Sequence, residues 1–445
     1  MEEFFVKAIS LILSLSILVL LHEAGHFIPA RLFKTKVEKF YLFFDPWFSL
    51  FKYKKGDTEY GIGWIPLGGY VKIAGMIDES MDKEAMKQPA QPWEFRSKPA
   101  WQRLIIMIGG VTVNALLAWA IYSMSLFTWG KEVLPLENTK YGLAADSLMY
   151  QYGFKDGDVI TAIDTVKAYD LKSISEEILL NERRTIHISR NGKDTIIQLP
   201  EDCQDEILDK LDGPLFSIRM PFIIDSVIQD TSAPAFASTL KKGDQVIGVN
   251  TVATPYFQDY SKEIAKFAHK KVQLKTIRGK DTLMIPCGVD ADGRIGTYSK
   301  GLDHYFTFTK KEYGFFEAIP AGLGEATDRL SGYVKQFKLI FSKAGIKKVG
   351  GPLSMGSLFP SSFGEHYWEH FWAMTALLSV ILAFMNLLPI PALDGGHVMF
   401  LLYEMIFRRK PGEKFMEYAQ MTGMVLLLGL MAYALFNDVL RFIIN

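Results

Sequence analysis

Val6–Phe33 reads VKAISLILSLSILVLLHEAGHFIPARLF. The first two-thirds of this stretch is apolar. A helix rises 1.5 Å per residue, so the stretch is long enough to cross a hydrocarbon layer about 30 Å thick. Its last third carries His22-Glu23-Ala24-Gly25-His26. Positions i and i+4 of a helix share a face, so both imidazoles can address one ion. Glu23 can then reach a water on that ion. Zinc suits this pattern, because a catalytic site takes three protein ligands and leaves a fourth place for water. Two histidines and a glutamate are expensive in lipid, at about 2.5 to 3.5 kcal/mol per charged residue at mid-bilayer. A place near the end of the span and a coordinated metal both reduce that cost. The leader (MEEFF) is acidic, the apolar run is long and no A-x-A site follows, so a retained span is expected and not a cleaved signal peptide.

Three further stretches are long and apolar enough to span: Trp101–Trp129, a run beginning near Phe371, and Met421–Leu440. His397–Phe407 is about half a span and reads as a continuation of the third element or an interfacial helix. The chain has 445 residues, 49 basic and 49 acidic, so its formal charge is zero. That balance argues against nucleic acid as a partner. A hydrophobic content of 49% is too high for a disordered chain. Cys203 and Cys287 are the two cysteines, too few for a disulfide scaffold or an all-cysteine zinc site. Lys34–Lys98 carries eleven Lys and Arg residues, among them Lys39, Lys72, Lys83 and Lys87, and Arg408, Arg409, Lys410 and Lys414 follow the third span. The positive-inside rule places both loops in the cytoplasm and the segment between spans two and three outside.

That outer segment repeats itself. KDGDVITAIDTV, ending at Val166, matches KKGDQVIGVNTV, ending at Val252, at an offset of 86 residues. RNGKDTI from Arg190 matches RGKDTL from Arg278. A repeat of that length suits a small independent domain. RTIHISR, DTIIQLP, KVQLKTIR and DTLMIP alternate as strands, while EEILLNE and KEIAKFAHK read as short helices. The stretches SAPAFASTLKKGD and AADSLMYQYGFKDGD resemble bacterial PDZ domains, which hold an extended peptide at a sheet edge. The cysteines fall at similar places in the two units and are expected to be unpaired thiols.

The third zinc ligand is expected to be Asp394, in the sequence NLLPIPALDGGH from Asn386 to His397. Spans one and three run in the same direction, so His22, His26 and Asp394 can share a depth. Pro389 and Pro391 break the helix, and irregular backbone at membrane depth is tolerated where it lines a protein cavity. His366-Tyr367-Trp368-Glu369-His370 also fits a zinc pattern, H-x-x-E-H, but lies at the outer mouth of span three, about 30 Å of helix from Asp394. It reads as an interface belt.

HEAGH in a first span and NLLPIPALDGGH in a third resemble the site-2 protease family of intramembrane zinc proteases. The paired PDZ-like insert and the fragments GIGWIPLGGYVKIAGM, SKPAWQR and GPLSMG are similar to its regulator-of-sigma-E protease branch. The resemblance implies one zinc ion per chain on His22, His26 and Asp394, Glu23 as the base, and Asn386 on the substrate backbone. It implies a membrane re-entrant β-hairpin at 60–73, whose Gly61, Ile62, Gly63, Trp64, Ile65, Gly68, Gly69 and Tyr70 would meet substrate. Asn114, after Gly109-Gly110 in span two, and Pro389 are further candidate site residues. Implied partners are single-span membrane proteins, such as an anti-sigma factor or leftover signal peptides, the lipid bilayer, and ectodomains or peptides met by the PDZ-like pair.

The expected fold is thus a polytopic α-helical membrane protein with four transmembrane helices, two extracytoplasmic α+β PDZ-like domains and a cytoplasmic-side β-hairpin at the membrane. Its segments are a first span at 1–35, a loop with the hairpin at 36–100, a second span at 101–129, PDZ-like domains at 130–212 and 213–298, an amphipathic region at 299–367, a third span at 368–407 and a fourth at 416–442. Two other readings compete: a PDZ scaffold with a relict metal site, and a transporter, although no repeated membrane half is visible.

Overall fold

The computed structural model describes residues 2–76, 89–211, 213–228 and 239–444. Lys83 and Lys87, and residues 232–238 of the second PDZ-like signature, lie outside the described residues. The chain divides into two units. One holds residues 1–130, 312–342 and 346–445. The other holds residues 131–311 with 343–345.

The first unit contains four helices long and apolar enough to cross a membrane: Glu2–Leu32, Ala100–Trp129, Tyr367–Leu387 and Lys414–Phe442. We label its helices α1 (Glu2–Leu32), α2 (Ala100–Trp129), α3 (Phe315–Leu339), α4 (Pro352–Ser357), α5 (Tyr367–Leu387), α6 (Asp394–Phe407) and α7 (Glu413–Val439). Large apolar side chains such as Phe4, Ile9, Leu116, Val425 and Leu426 are exposed along α1, α2 and α7. A lipid-facing helix shows this pattern, and the inward faces are where small residues let backbones meet. Gly25 of α1 and Gly109 of α2 are such a pair. A Cβ built on Gly109 would lie 1.9 Å from Gly25 O, and one on Gly25 would lie 2.5 Å from Gly109 O. On the other side of α2, Ala118, Ile121 and Tyr122 pack with Ala376 and Val380 of α5.

His397–Phe407 belongs to a separate helix, α6, and does not continue α5. Leu388–Leu393 intervenes as a turn, with Ala392 at φ 87°. Pro389 and Pro391 cannot donate backbone hydrogen bonds, which ends α5. Gly423 of α7 admits this turn, since a Cβ there would lie 1.6 Å from Pro391 O. The carboxylate of Asp438, at the far end of α7, accepts from the backbone N–H groups of Gly351, Leu353 and Ser354 at 3.0, 2.9 and 3.3 Å. It therefore caps α4. The region after the repeat is dominated by α3, which lies against α2. Gly322 would meet Ser123 if it carried a Cβ, and Trp119 Nε1 donates to Ile319 O at 2.8 Å.

The segment between α1 and α2 forms a four-stranded sheet of β1 (Val37–Phe44), β2 (Phe51–Lys55), β3 (Thr58–Ile62) and β4 (Ile65–Ile73), in the order β2-β3-β1-β4. This corrects the simple hairpin expected at 60–73. β3 and β4 pair with opposite sides of β1, parallel and antiparallel respectively. The reason lies in Gly61 and Gly63. Gly61 leaves room for the Tyr41 ring, and a Cβ on Gly63 would lie 2.1 Å from Phe44 O. Both glycines thus let the β3–β4 connection cross close over β1. Trp47 and Phe48 stack on Trp64 at 6.1 and 5.7 Å and are largely exposed. Such an aromatic group suits a membrane interface.

The second unit is rich in strands, and its repeat is visible in structure. Strands Thr185–Arg190 and Lys193–Gln198 form one hairpin, and Lys271–Arg278 and Asp281–Gly288 form its counterpart. The helices that answer EEILLNE and KEIAKFAHK are Leu171–Leu179 and Phe257–Ile264, each beginning about five residues before its sequence-based position. In the first, Asp170 and Ser173 form a reciprocal cap, a signal present in the sequence. Each copy carries the same ion pair. Arg190 grips Asp158 and Gly153 O, and Arg278 grips Asp244 and Thr239 O. Cys203 and Cys287 are both buried and form no disulfide with each other, as expected. They are not equivalent positions, however: Cys203 opens a helix and Cys287 lies within a strand.

Burial pushes the Asp244 carboxyl up, but hydrogen bonds from Arg278 and from the Lys241 N–H outweigh it and hold the group below its ordinary range. A carboxyl whose folded pKa lies below its unfolded one adds stability above about pH 4 and loses it as pH falls through the folded value. Arg278→Leu strands a buried carboxylate and should cost about 3 kcal/mol at neutral pH. Hydrogen exchange on the full-length protein should show the Lys271–Gly288 strands opening sooner in the variant at pH 7. That gap should narrow toward pH 3.

Candidate metal centre

α1 presents His22, Glu23 and His26 on one side, and α6 begins at Asp394. The imidazole nitrogens His22 Nε2 and His26 Nε2 are 3.3 Å apart. Asp394 Oδ2 is 3.3 Å from each. The three atoms therefore form an equilateral triangle. Ligands about 2.0 Å from a tetrahedral zinc ion would stand about 3.3 Å from one another. Among the described residues, these three form the one cluster of His, Cys, Asp or Glu ligand atoms close enough to hold a metal.

The protonation pattern points the same way. His26 Nδ1 donates to Ile106 O at 2.8 Å, so its Nε2 lone pair is turned toward Asp394. His22 Nδ1 lies 3.2 Å from the Asn114 amide, whose oxygen has no partner as oriented. With that amide turned over, its oxygen accepts from His22 Nδ1–H. Both Nε2 lone pairs then face a carboxylate oxygen that is itself buried without a hydrogen-bond partner. Three electron-rich atoms this close require a positive charge among them. Zinc fits the donor set and its spacing.

Glycine 110 makes the room. A Cβ there would lie 2.4 Å from His26 Nε2 and 2.5 Å from His22 Cε1. Ser379 of α5 donates to the Asn114 carbonyl at 2.8 Å, tying the second span to the third behind the imidazoles. Asn386 Nδ2 is 3.3 Å from His22 Nε2, at the face of the triangle. Pro389 lies in the turn that delivers Asp394 and does not itself line the cavity.

A cavity of about 460 Å³ opens on the triangle, lined by His22, Glu23, His26, Asp394 and part of β4. Of the sheet residues singled out from sequence, Gly69 and Tyr70 line it. Gly61, Ile62, Gly63, Trp64, Ile65 and Gly68 do not. Gly69 lets the edge strand touch α1, because its Cβ would lie 2.7 Å from Val19 and 3.4 Å from Glu23 Cγ. Lys39, Lys72, His397 and Gln420 also line the cavity and were not singled out from sequence. The alternation of β1, with Lys39 two residues from Tyr41, and the i, i+3 spacing of Asp394 and His397 were the available signals. His366 and His370 remain exposed and Glu369 is half-buried, with His366 Nδ1 3.2 Å from Glu369. They form no second metal cluster among the described residues.

The spans and this centre define a multi-pass membrane metallopeptidase. The model of peptidase family M50, the site-2 protease family, matches residues 10–430, and the chain belongs to that family. It is 29% identical to the regulator of sigma E protease of Haemophilus influenzae, over 97% of this chain and 98% of the relative. It is 28% identical to the regulator of sigma-E protease RseP of Salmonella typhimurium, over 97% of each. It is also 28% identical to a Neisseria meningitidis protein that carries a zinc metalloprotease name, over 97% and 98%. The chain is a zinc metalloprotease that acts in the membrane.

Gly110→Ala should displace the imidazoles and weaken zinc binding about tenfold or more, the usual scale for disturbed ligand support. Gly429→Ala, where nothing lies within 4 Å of the added methyl, should leave it unchanged. Metal content after dialysis against graded chelator distinguishes the two.

Proposed function

We propose that His22, His26 and Asp394 hold the catalytic zinc, that Glu23 is the general base, and that the enzyme cuts transmembrane segments of single-span proteins. The observation that carries this reading is the 3.3 Å triangle opening on a cavity that Glu23 and an edge strand share. Zinc bound at the triangle supplies a Lewis acid that polarises the scissile carbonyl and acidifies water. Glu23 accepts the proton of the attacking water and returns it to the leaving amide nitrogen. Asn386 donates its amide to the substrate near the reacting carbonyl. Asn114 and Ile106 O fix the two imidazole tautomers.

A helical substrate shields its own peptide bonds, so it must be extended before water can attack. β4 is an edge strand whose Gly69 meets Glu23, which supports its pairing with the unwound substrate. The basic loops around the sheet and after α6 support a cytoplasmic-side active site in the bacterial inner membrane, with the PDZ-like unit outside. There the pair would exclude bulky ectodomains or bind trimmed peptides. Substrates of the anti-sigma-factor or remnant-signal-peptide kind follow from the relatives named for sigma-E regulation. The scaffold and transporter readings leave the matched spacing of the three ligand atoms without a purpose.

Glu23→Gln should keep its zinc and lose cleavage of a tagged model span by about 10³-fold. Asp394→Ala should lose both. Release of the substrate fragment by Glu23→Gln at the wild-type rate would restore the scaffold reading.

A further inference from the structure

Two lysines face the cavity from the sheet. In the β1–β4 ladder, Tyr41 is opposite Tyr70 and Lys39 is opposite Lys72. Residues opposite one another, and residues two apart, share a face. The stacking of Tyr41 on Tyr70 at 5.3 Å shows which face that is. Lys39 and Lys72 both line the cavity that holds the metal centre. Like charges directly opposite on a sheet are destabilising. Lys72 has Glu38 at 3.4 Å. Lys39 has no carboxylate partner among the described residues. Its ammonium lies 5.3 and 5.9 Å from the ring centres of Tyr41 and Tyr70 and donates to the Tyr70 hydroxyl at 3.4 Å. That hydroxyl in turn donates to Asp45 at 2.8 Å, and Tyr41 donates to Glu59 at 2.7 Å, so both nearby acids are engaged by tyrosines. The contact with Tyr70 carries the Lys39 charge across β1 to the edge strand.

We propose that Lys39, with Lys72 opposite, selects substrates that bear an Asp or Glu side chain two to four residues from the scissile bond. This rests on the reading of the cavity as the substrate channel. Position along β4 sets the spacing. Gly69 adjoins Glu23, and Lys72 is three residues further, roughly 10 Å at 3.3 Å per residue. A substrate strand paired with β4 would therefore offer the lysines a residue about three positions from the bond being cut. A carboxylate there would give the Lys39 ammonium the acidic partner it lacks, through a charge-assisted hydrogen bond, with Lys72 adding positive charge beside it. At the other end of the cavity, Glu23 and Asp394 disfavour a second acid, so the preference belongs to one register. Lys39 is a specificity residue in this account and takes no part in bond cleavage.

The test uses the full-length enzyme in proteoliposomes and one model span that the wild type cuts. Glu, Gln or Lys is placed at each position two to four residues from the cut, on either side. Substrates compete in pairs in one vessel, so the ratio is independent of how much enzyme is folded. At one position the wild type should prefer Glu over Gln by about tenfold in kcat/KM, and disfavour Lys by a similar factor. The preference should fall within twofold in Lys39→Gln/Lys72→Gln, persist in Lys39→Arg and reverse in Lys39→Glu. Flat wild-type ratios at every position would overturn the proposal, as would a Glu preference that survives in the double glutamine variant. If Lys39→Glu cuts too little to measure, the wild-type and Lys39→Gln/Lys72→Gln ratios still decide. Failure of the wild type to cut any span would refute the protease assignment itself, a result distinct from cutting without charge preference.

Discussion

The architecture of the membrane unit depends on bringing a carboxylate into contact with two imidazoles in a place that water reaches poorly. Each of these groups is costly to bury alone, and together without a cation they oppose one another. A metal reverses the sign of that interaction. The helices are arranged to permit it. Gly25, Gly109 and Gly110 let α1 and α2 approach until only the rings fit between them. The Pro389–Pro391 turn then starts α6 with Asp394 pointing at those rings. The close helix contact and the broken third span therefore serve one end, a triangle of donor atoms spaced for a metal.

The sheet answers a second constraint. A peptide bond inside a transmembrane helix already has its hydrogen bonds made, so a protease in the membrane must offer replacements. An edge strand does so without side-chain specificity, because its unpaired N–H and C=O groups recognise any extended backbone. Gly69 brings that edge against Glu23. The β3–β4 connection crosses β1 and leaves β4 as the terminal strand, while exposed Trp47, Phe48 and Trp64 suit the lipid interface. Selectivity then has to come from elsewhere, and the paired lysines on the cavity face are the side chains placed to provide it.

Much of this was legible in the sequence, and the parts that were not have physical reasons. The spans, the H-E-x-x-H pair and Asp394 were readable because hydrocarbon punishes polar residues, so the few that remain stand out. The repeat was readable because turns such as Lys-Gly-Asp recur at a fixed interval. The sheet was misread as a hairpin because strand order is set by which strand crosses which. That choice was made by the Gly61 and Gly63 contacts with Tyr41 and Phe44, which have no local signature. Gly110 was noticed only as part of a motif. Its role, the space for two rings from another helix, is a long-range fact. Lys39 and Lys72 looked like ordinary loop charges counted toward topology, since their shared face depends on a register that pairs residues 33 apart in sequence (72 − 39).

Zinc K-edge absorption on the purified full-length protein reads the metal's ligands. One zinc per chain is expected, with two imidazole nitrogens and oxygen donors at about 2.0 to 2.2 Å, and a changed set of ligands in Asp394→Ala. A spectrum with sulfur ligation, or one identical in wild type and Asp394→Ala, would show that the carboxylate of α6 does not meet the histidines of α1 on a common ion.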